Sequence, residues 1–186
     1  MISWMKVTVG VMGSSSESDP HIRHTAWRLG ELIAEHGAVL ITGATTGLPL
    51  EAARGAKNAG GEVIGFSPAR NDKEHEQLGL PLTDHDLILY TGLGFKGRNL
   101  LNVSASHALV FVGGSMGTLN EFTIAYDEEK IMGILTGSGG FCNHMEEWIQ
   151  HLKKPHNRSI LHYGHDPDTL LGQVFESIYR RHHNLE

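Results

Sequence analysis

Residues 107–121 read His-Ala-Leu-Val-Phe-Val-Gly-Gly-Ser-Met-Gly-Thr-Leu-Asn-Glu: an apolar strand-like run, a turn of small residues, then the start of a helix. Such a junction can hold phosphate. Gly113, Gly114, Ser115 and Gly117 let a ligand come close to the backbone. The first N–H groups of the following helix have no intrahelical partner and carry the positive end of its dipole, so Met116 and Thr118 join the expected ligand contacts. A small phosphorylated molecule is the expected ligand. Thr118-Leu-Asn-Glu121 also fits a capping box, in which Glu121 reaches back to the Thr118 backbone N–H. The local pattern leaves Glu121 two readings, helix cap and chemically active carboxylate.

Two further turns share this composition, Gly13-Ser14-Ser15-Ser16 and Thr42-Gly43-Ala44-Thr45-Thr46-Gly47. Each follows an apolar run and precedes a helical pattern, and the helix expected over 94–105 carries Lys96, Arg98, Asn99 and Asn102. In open parallel sheets ligands sit outside the strand carboxyl ends where strand order reverses, so the three turns are expected to face one crevice. Neither the Walker pattern nor Gly-x-Gly-x-x-Gly occurs at these turns. That argues against an NTPase or a nicotinamide dehydrogenase and for a mononucleotide-sized site.

Other reactive residue types carry less. Cys142 is the single cysteine, which excludes an internal disulfide, fits a reducing compartment and reads as a small apolar residue. Thirteen histidines include the pairs His21 with His24, His162 with His165 and His182 with His183, but none has zinc-site spacing. No metal and no resident cofactor is expected.

The positioning elements alternate along the chain as strand and helix, the sequence form of βαβ units around a mainly parallel sheet. Strands are expected at 7–12, 38–41, 62–66, 85–90, in the apolar run that opens 107–121, at 131–135 and near 159–162. Asp19-Pro20 starts the first helix, whose apolar face is Ile22, Ala26, Leu29 and Ile33, and Gly37 stops it. Further helices are expected over 48–59, 94–105, from the capping box at Thr118, around 143–153 and from Asp166-Pro167 to about 181. The polar stretch from Ser67 to about Asp84 lacks periodicity and reads as a loop and candidate lid.

At 186 residues, 40% hydrophobic and without a composition shift, the chain reads as one α/β domain over 1–186, a Rossmann-like three-layer sandwich. A net charge of −6, with no Lys/Arg run longer than two, makes nucleic acid an unexpected partner. No secretion signal and no long apolar segment is recognisable, so no membrane partner and a cytoplasmic location are expected.

Taken together, Val11-Met-Gly-Ser-Ser15, Gly43-Ala-Thr-Thr-Gly-Leu48, Gly60-Gly-Glu-Val-Ile-Gly-Phe-Ser-Pro68, Arg98 and Gly114-Ser-Met-Gly-Thr-Leu-Asn-Glu121 resemble the LONELY GUY (LOG) superfamily of Rossmann-like proteins, often mislabelled lysine decarboxylases. The likeness runs from about Val7 to Leu135. In cytokinin-activating members the last motif is Pro-Gly-Gly-x-Gly-Thr-x-x-Glu. There an Arg on the preceding helix works with the Glu to hydrolyse the N-glycosidic bond of a nucleoside 5′-monophosphate. The resemblance thus implies catalytic roles for Arg98 and Glu121 in a phosphoribohydrolase, and ligand contacts at the three turns and Asn99. The chain departs from that pattern: Gly113 stands for the Pro, Ser115 for the second Gly, and Asn99 follows Arg98 where hydrolases usually carry Lys.

Thr91-Gly-Leu-Gly-Phe-Lys-Gly-Arg-Asn-Leu-Leu-Asn-Val103 instead looks like a second branch, the molybdenum-cofactor carrier proteins, which bind a phosphorylated pterin without turnover. In that branch Glu121 reverts to a cap while the phosphate site is kept. The ligand is then either a nucleoside monophosphate or a pterin-type cofactor. Relatives are dimers or larger, which implies a homodimer or homotetramer, with an interface expected from the apolar faces of the 48–59 and 94–105 helices.

Overall fold

The computed structural model describes residues 6–16, 19–151 and 157–183. Its strands are β1 (Thr8–Gly13), β2 (Val39–Thr42), β3 (Glu62–Ser67), β4 (Leu87–Tyr90), β5 (Ala108–Val112), β6 (Ile131–Leu135) and β7 (Ile160–Gly164). Its helices are α1 (Pro20–Glu35), α2 (Leu48–Asn58), α3 (Asp72–Gln77), α4 (Gly94–Ser104), α5 (Met116–Asp127), α6 (Met145–His151) and α7 (Pro167–His182), with a 3-10 turn at Gly140–Asn143. The end of the helix expected over 143–153 lies outside the described residues.

The strands form one seven-stranded sheet in the order β4-β3-β2-β1-β5-β6-β7. Every pairing is parallel, for instance Val11 opposite Val110 and Leu40 opposite Val63. Strands buried on both faces must be apolar throughout, as β5 (Ala-Leu-Val-Phe-Val) and β6 (Ile-Met-Gly-Ile-Leu) are. Side chains alternate between two cores. Val9, Val11 and Val110 pack with Ala26, Leu29 and Ile33 of α1, Ala52 and Ala56 of α2, and Leu170 and Val174 of α7. Met12, Leu109, Phe111 and Met132 face the other way, onto Val103 of α4, Phe122 and Ala125 of α5, and Met145 of α6. The result is the expected three-layer sandwich. The winding runs outward from β1 to β4 on one side and from β5 to β7 on the other, so the switch point lies between β1 and β5.

Two expectations change. The 67–84 stretch is not a free loop: α3 forms inside it, capped by Asn71 Oδ1 on the Glu74 N–H at 2.9 Å. His75 is fully buried, bonded through Nδ1 to Ser67 Oγ (2.8 Å) and through Nε2 to the Pro81 carbonyl (2.9 Å), and these ties hold the segment down. The second correction concerns α2. Its Leu48, Leu50, Ala52, Ala53 and Ala56 are buried in the molecule's own core, so its apolar face is not free for a second copy. No helix among the described residues is long and apolar enough to cross a membrane.

Candidate functional site

The turns after β1, β2 and β5 meet at the carboxyl edge of the sheet. Leu48 N–H donates to the Ser14 carbonyl (2.8 Å) and Thr46 Oγ1 to the Ser15 carbonyl (2.9 Å), which knits the first two turns together. Gly47 has φ of 74° and lies so near the Ser14 carbonyl that a Cβ would collide with it. In the third turn Gly113 and Gly114 have φ of 56° and 92°. Their carbonyls accept from Cys142 N–H (3.3 Å) and Phe141 N–H (2.9 Å), and Gly113 N–H donates to Ser138 Oγ (2.7 Å). With the carbonyls held back by the 3-10 turn, α5 begins at Met116, and Ser115 in the capping position makes no side-chain cap bond. The α5 start therefore presents donors and its positive dipole end to whatever lies above it.

Above it is a cleft lined by Gly13, Ser14, Ser15, Ser16, Thr45, Phe95, Lys96, Arg98, Asn99, Ser115, Gly117, Thr118 and Glu121, with a cavity volume of about 140 Å³. At its base is a buried polar cluster. Arg98 Nη1 donates to Glu121 Oε1 and to Asn99 Oδ1, both at 3.1 Å, and Asn102 Nδ2 donates to the same Glu121 oxygen at 2.9 Å. Asn99 Nδ2 in turn donates to Asn120 Oδ1 at 2.8 Å, tying α4 to α5. Arg98 lies against Gly43 so closely that any Cβ there would overlap the guanidinium.

Glu121 is thus not the reciprocal partner of Thr118 that a capping box requires. Thr118 sits inside the first turn of α5, and the described bonds of the Glu121 carboxylate go to α4. Burial drives its pKa above the ordinary carboxylate range, while the Arg98 charge and the Asn102 and Arg98 hydrogen bonds pull the other way. Burial also lowers the Arg98 pKa against the pull of Glu121. In both groups loss of water outweighs mutual attraction, so this is a carboxyl that accepts a proton more readily than a surface one.

Of the residues expected from sequence, Gly13, Ser14, Ser15, Thr45, Arg98, Asn99, Ser115, Gly117, Thr118 and Glu121 line the cleft together. Gly43, Gly47, Gly113 and Gly114 shape it from behind, and Met116 stands exposed at the start of α5. Sequence reasoning did not single out Ser16, Phe95 or Lys96 as contacts, nor Asn102 as the Glu121 partner. An exposed aromatic at a helix start was the available signal for Phe95. No lining residue comes from 67–84. Cys142 is buried and its thiol is pushed up to about 12 by loss of water, so it is inert. No group of three or more His, Cys, Asp or Glu suited to a metal occurs among the described residues.

A doubly wound parallel sheet with a small crevice at its switch point defines the class, a Rossmann-like three-layer sandwich. More narrowly, residues 6–171 match the SLOG cluster4 family, and the chain belongs to it. An uncharacterized protein of Archaeoglobus fulgidus is 38% identical over 122 residues, 66% of this chain and 75% of that protein. The molybdenum cofactor binding protein from the phototrophic bacterium Rippkaea orientalis is similar in structure, with a TM-score of 0.77 and 28% identity over 95% of this chain and 99% of that one. The Moco carrier protein from Chlamydomonas reinhardtii gives a TM-score of 0.77 at 27% identity, again over 95% and 99%.

Proposed function

We propose that this protein binds a small phosphorylated ligand in the crevice at the carboxyl ends of β1, β2 and β5, and that it holds the ligand as a carrier, with a phosphorylated pterin of the molybdenum-cofactor type as the leading candidate. The observation that carries this reading is the α5 start: uncapped by any side chain, flanked by the hydroxyls of Ser14, Ser15, Ser16, Thr45 and Thr118, and lying beside Lys96 and Arg98. The likeness to a binding protein and a carrier protein for that cofactor, over nearly the whole of both chains, supports the choice of ligand.

A second reading, hydrolysis of a nucleoside 5′-monophosphate, is favoured by one feature, the Glu121 carboxyl in the cleft with its raised pKa. Protonated, it suits donation to a departing base; ionised, it suits stabilisation of the sugar cation. Incubation with AMP, GMP and CMP, followed by chromatography for free base and calorimetry for binding, separates the two. The carrier reading expects binding without base release; sustained release of free base gives the site to the hydrolase. Absence of binding by any phosphorylated nucleotide or pterin removes both.

A further inference from the structure

A cavity of about 140 Å³ is smaller than a pocket that encloses a whole nucleotide-sized ligand. It takes a phosphate and part of what is attached, so the rest of the ligand must lie at the mouth. Two large apolar side chains in this region are uncovered: Phe95, which lines the cleft at 47% exposure, and Met116, 70% exposed at the start of α5 between the lining residues Ser115 and Gly117.

Their placement follows from the helices. Phe95 is three, four and seven residues before Arg98, Asn99 and Asn102, so it shares the site-facing side of α4, and it lines the cleft. Met116 opens α5 and is directly followed by the lining residue Gly117. Both helices start at the carboxyl edge of a parallel sheet and run the same way. They are tied one turn in by Asn99 Nδ2 to Asn120 Oδ1 at 2.8 Å. Four residues, about one turn, back from each partner of that bond are Phe95 and Met116, which puts both on the opening turns of the two helices, on the sides that this bond tethers.

We infer that Phe95 and Met116 form a clamp for a planar heteroaromatic ring, making the preferred ligand a ring-bearing phosphate rather than a bare sugar phosphate. The inference rests on the phosphate crevice proposed above. A ring face stacks on the Phe95 ring, and the polarisable Met116 thioether adapts to its other side or edge without demanding one base. Such a pair selects for a flat π-system and is tolerant of which one, since any base or pterin offers that face.

The test is calorimetric titration of wild type, Phe95→Ala, Phe95→Trp and Met116→Ala with AMP, GMP, neopterin monophosphate and ribose 5-phosphate. Wild type is expected to prefer the ring-bearing ligands to ribose 5-phosphate by about ten- to a hundredfold. Phe95→Ala should erase most of that preference with the ribose 5-phosphate affinity unchanged, Phe95→Trp should keep it, and Met116→Ala should lower it partly. An unchanged preference in Phe95→Ala overturns the clamp, and so does an equal loss for all four ligands. If none of the phosphates binds wild type, the crevice reading fails, and the clamp is judged with free pterin and adenine. Binding to wild type but not to Phe95→Ala then keeps it; binding to neither, or to both alike, overturns it.

Discussion

Glu121 shows how a buried carboxylate can be misread from its neighbours in sequence. Its partners Arg98 and Asn102 stand 23 and 19 residues away on α4. Glu121→Gln retains an amide oxygen where Oε1 accepts both bonds, so it should keep the fold and ligand affinity while removing any base release. Glu121→Leu leaves the Arg98 guanidinium buried without its counter-charge and should cost about 3–5 kcal/mol in urea unfolding. Equal destabilisation by the two variants would show that the cluster is not held through that oxygen. Should turnover occur, its pH profile should show an acid limb displaced above the ordinary carboxylate range, since burial favours the protonated form.

At the scale of elements, the segment from β3 to β4 is fastened by histidines rather than by an apolar face. His85 Nε2 pairs with Thr42 Oγ1 and its Nδ1 with the Thr83 carbonyl, both at 2.8 Å, and the ring packs on Gly65. Burial lowers the His85 pKa, with the nearby Asp84 and Asp86 charges opposing and His75 assisting. The unfolded chain therefore takes up a proton near pH 6.5, the ordinary imidazole value, before the folded one does. Stability from this group is complete above that pH and is lost as pH falls through the lower folded value. Urea unfolding between pH 7.5 and 5.5 should show wild type losing more stability than His85→Gln; parallel losses would refute the assignment. The same segment marks where sequence stopped being informative. The strands were legible because β5 and β6 are apolar throughout, and α1 because Asp19-Pro20 opens an apolar stripe. The short polar α3 has no stripe and is held by Ser67–His75, a tertiary contact. The capping-box pattern likewise placed the start of α5 three residues late, at Thr118 rather than Ser115, because N–H groups from the distant 3-10 turn fix the Gly113 and Gly114 carbonyls.

For the whole molecule, one apolar patch beside β4 and α4 stands exposed among the described residues. Leu87 and Leu89 on the edge strand β4 are 49% and 41% exposed, and Leu93 and Leu100 at α4 are 56% and 49% exposed. Leu93, Gly97 and Leu100 fall on one side of α4, opposite Phe95 and Asn99, and the Leu93 side chain lies over Gly97. We propose that two copies pack through this side of α4 about a two-fold axis, burying Leu93 and Leu100 of each. Sedimentation equilibrium should show a dimer at micromolar concentration, and Leu100→Asp should weaken it by about thirtyfold or more, the scale of a buried interface anchor. A monomeric wild type would rule this out. A sequence-level pattern of apolar residues pointed equally to α2, and only the packing of α2 under α1 and the sheet separates the two.

The central claim is where the phosphate goes, and the molecule offers a rival. At the opposite, amino edge of the sheet a second cleft is lined by Ser104, Ala105, Ser106, His107, Glu128, Lys130 and Arg181. Its cations are already engaged, Lys130 Nζ with the Ser106 carbonyl at 2.9 Å and Arg181 Nη1 with the Glu129 carbonyl at 2.7 Å. A crystal structure of the protein soaked with GMP decides between them. The phosphate is expected within hydrogen-bond distance of the Gly117 and Thr118 N–H groups and the Ser14 or Ser15 hydroxyl. Phosphate density beside Lys130 and Arg181, with the carboxyl-end crevice empty, would contradict the account.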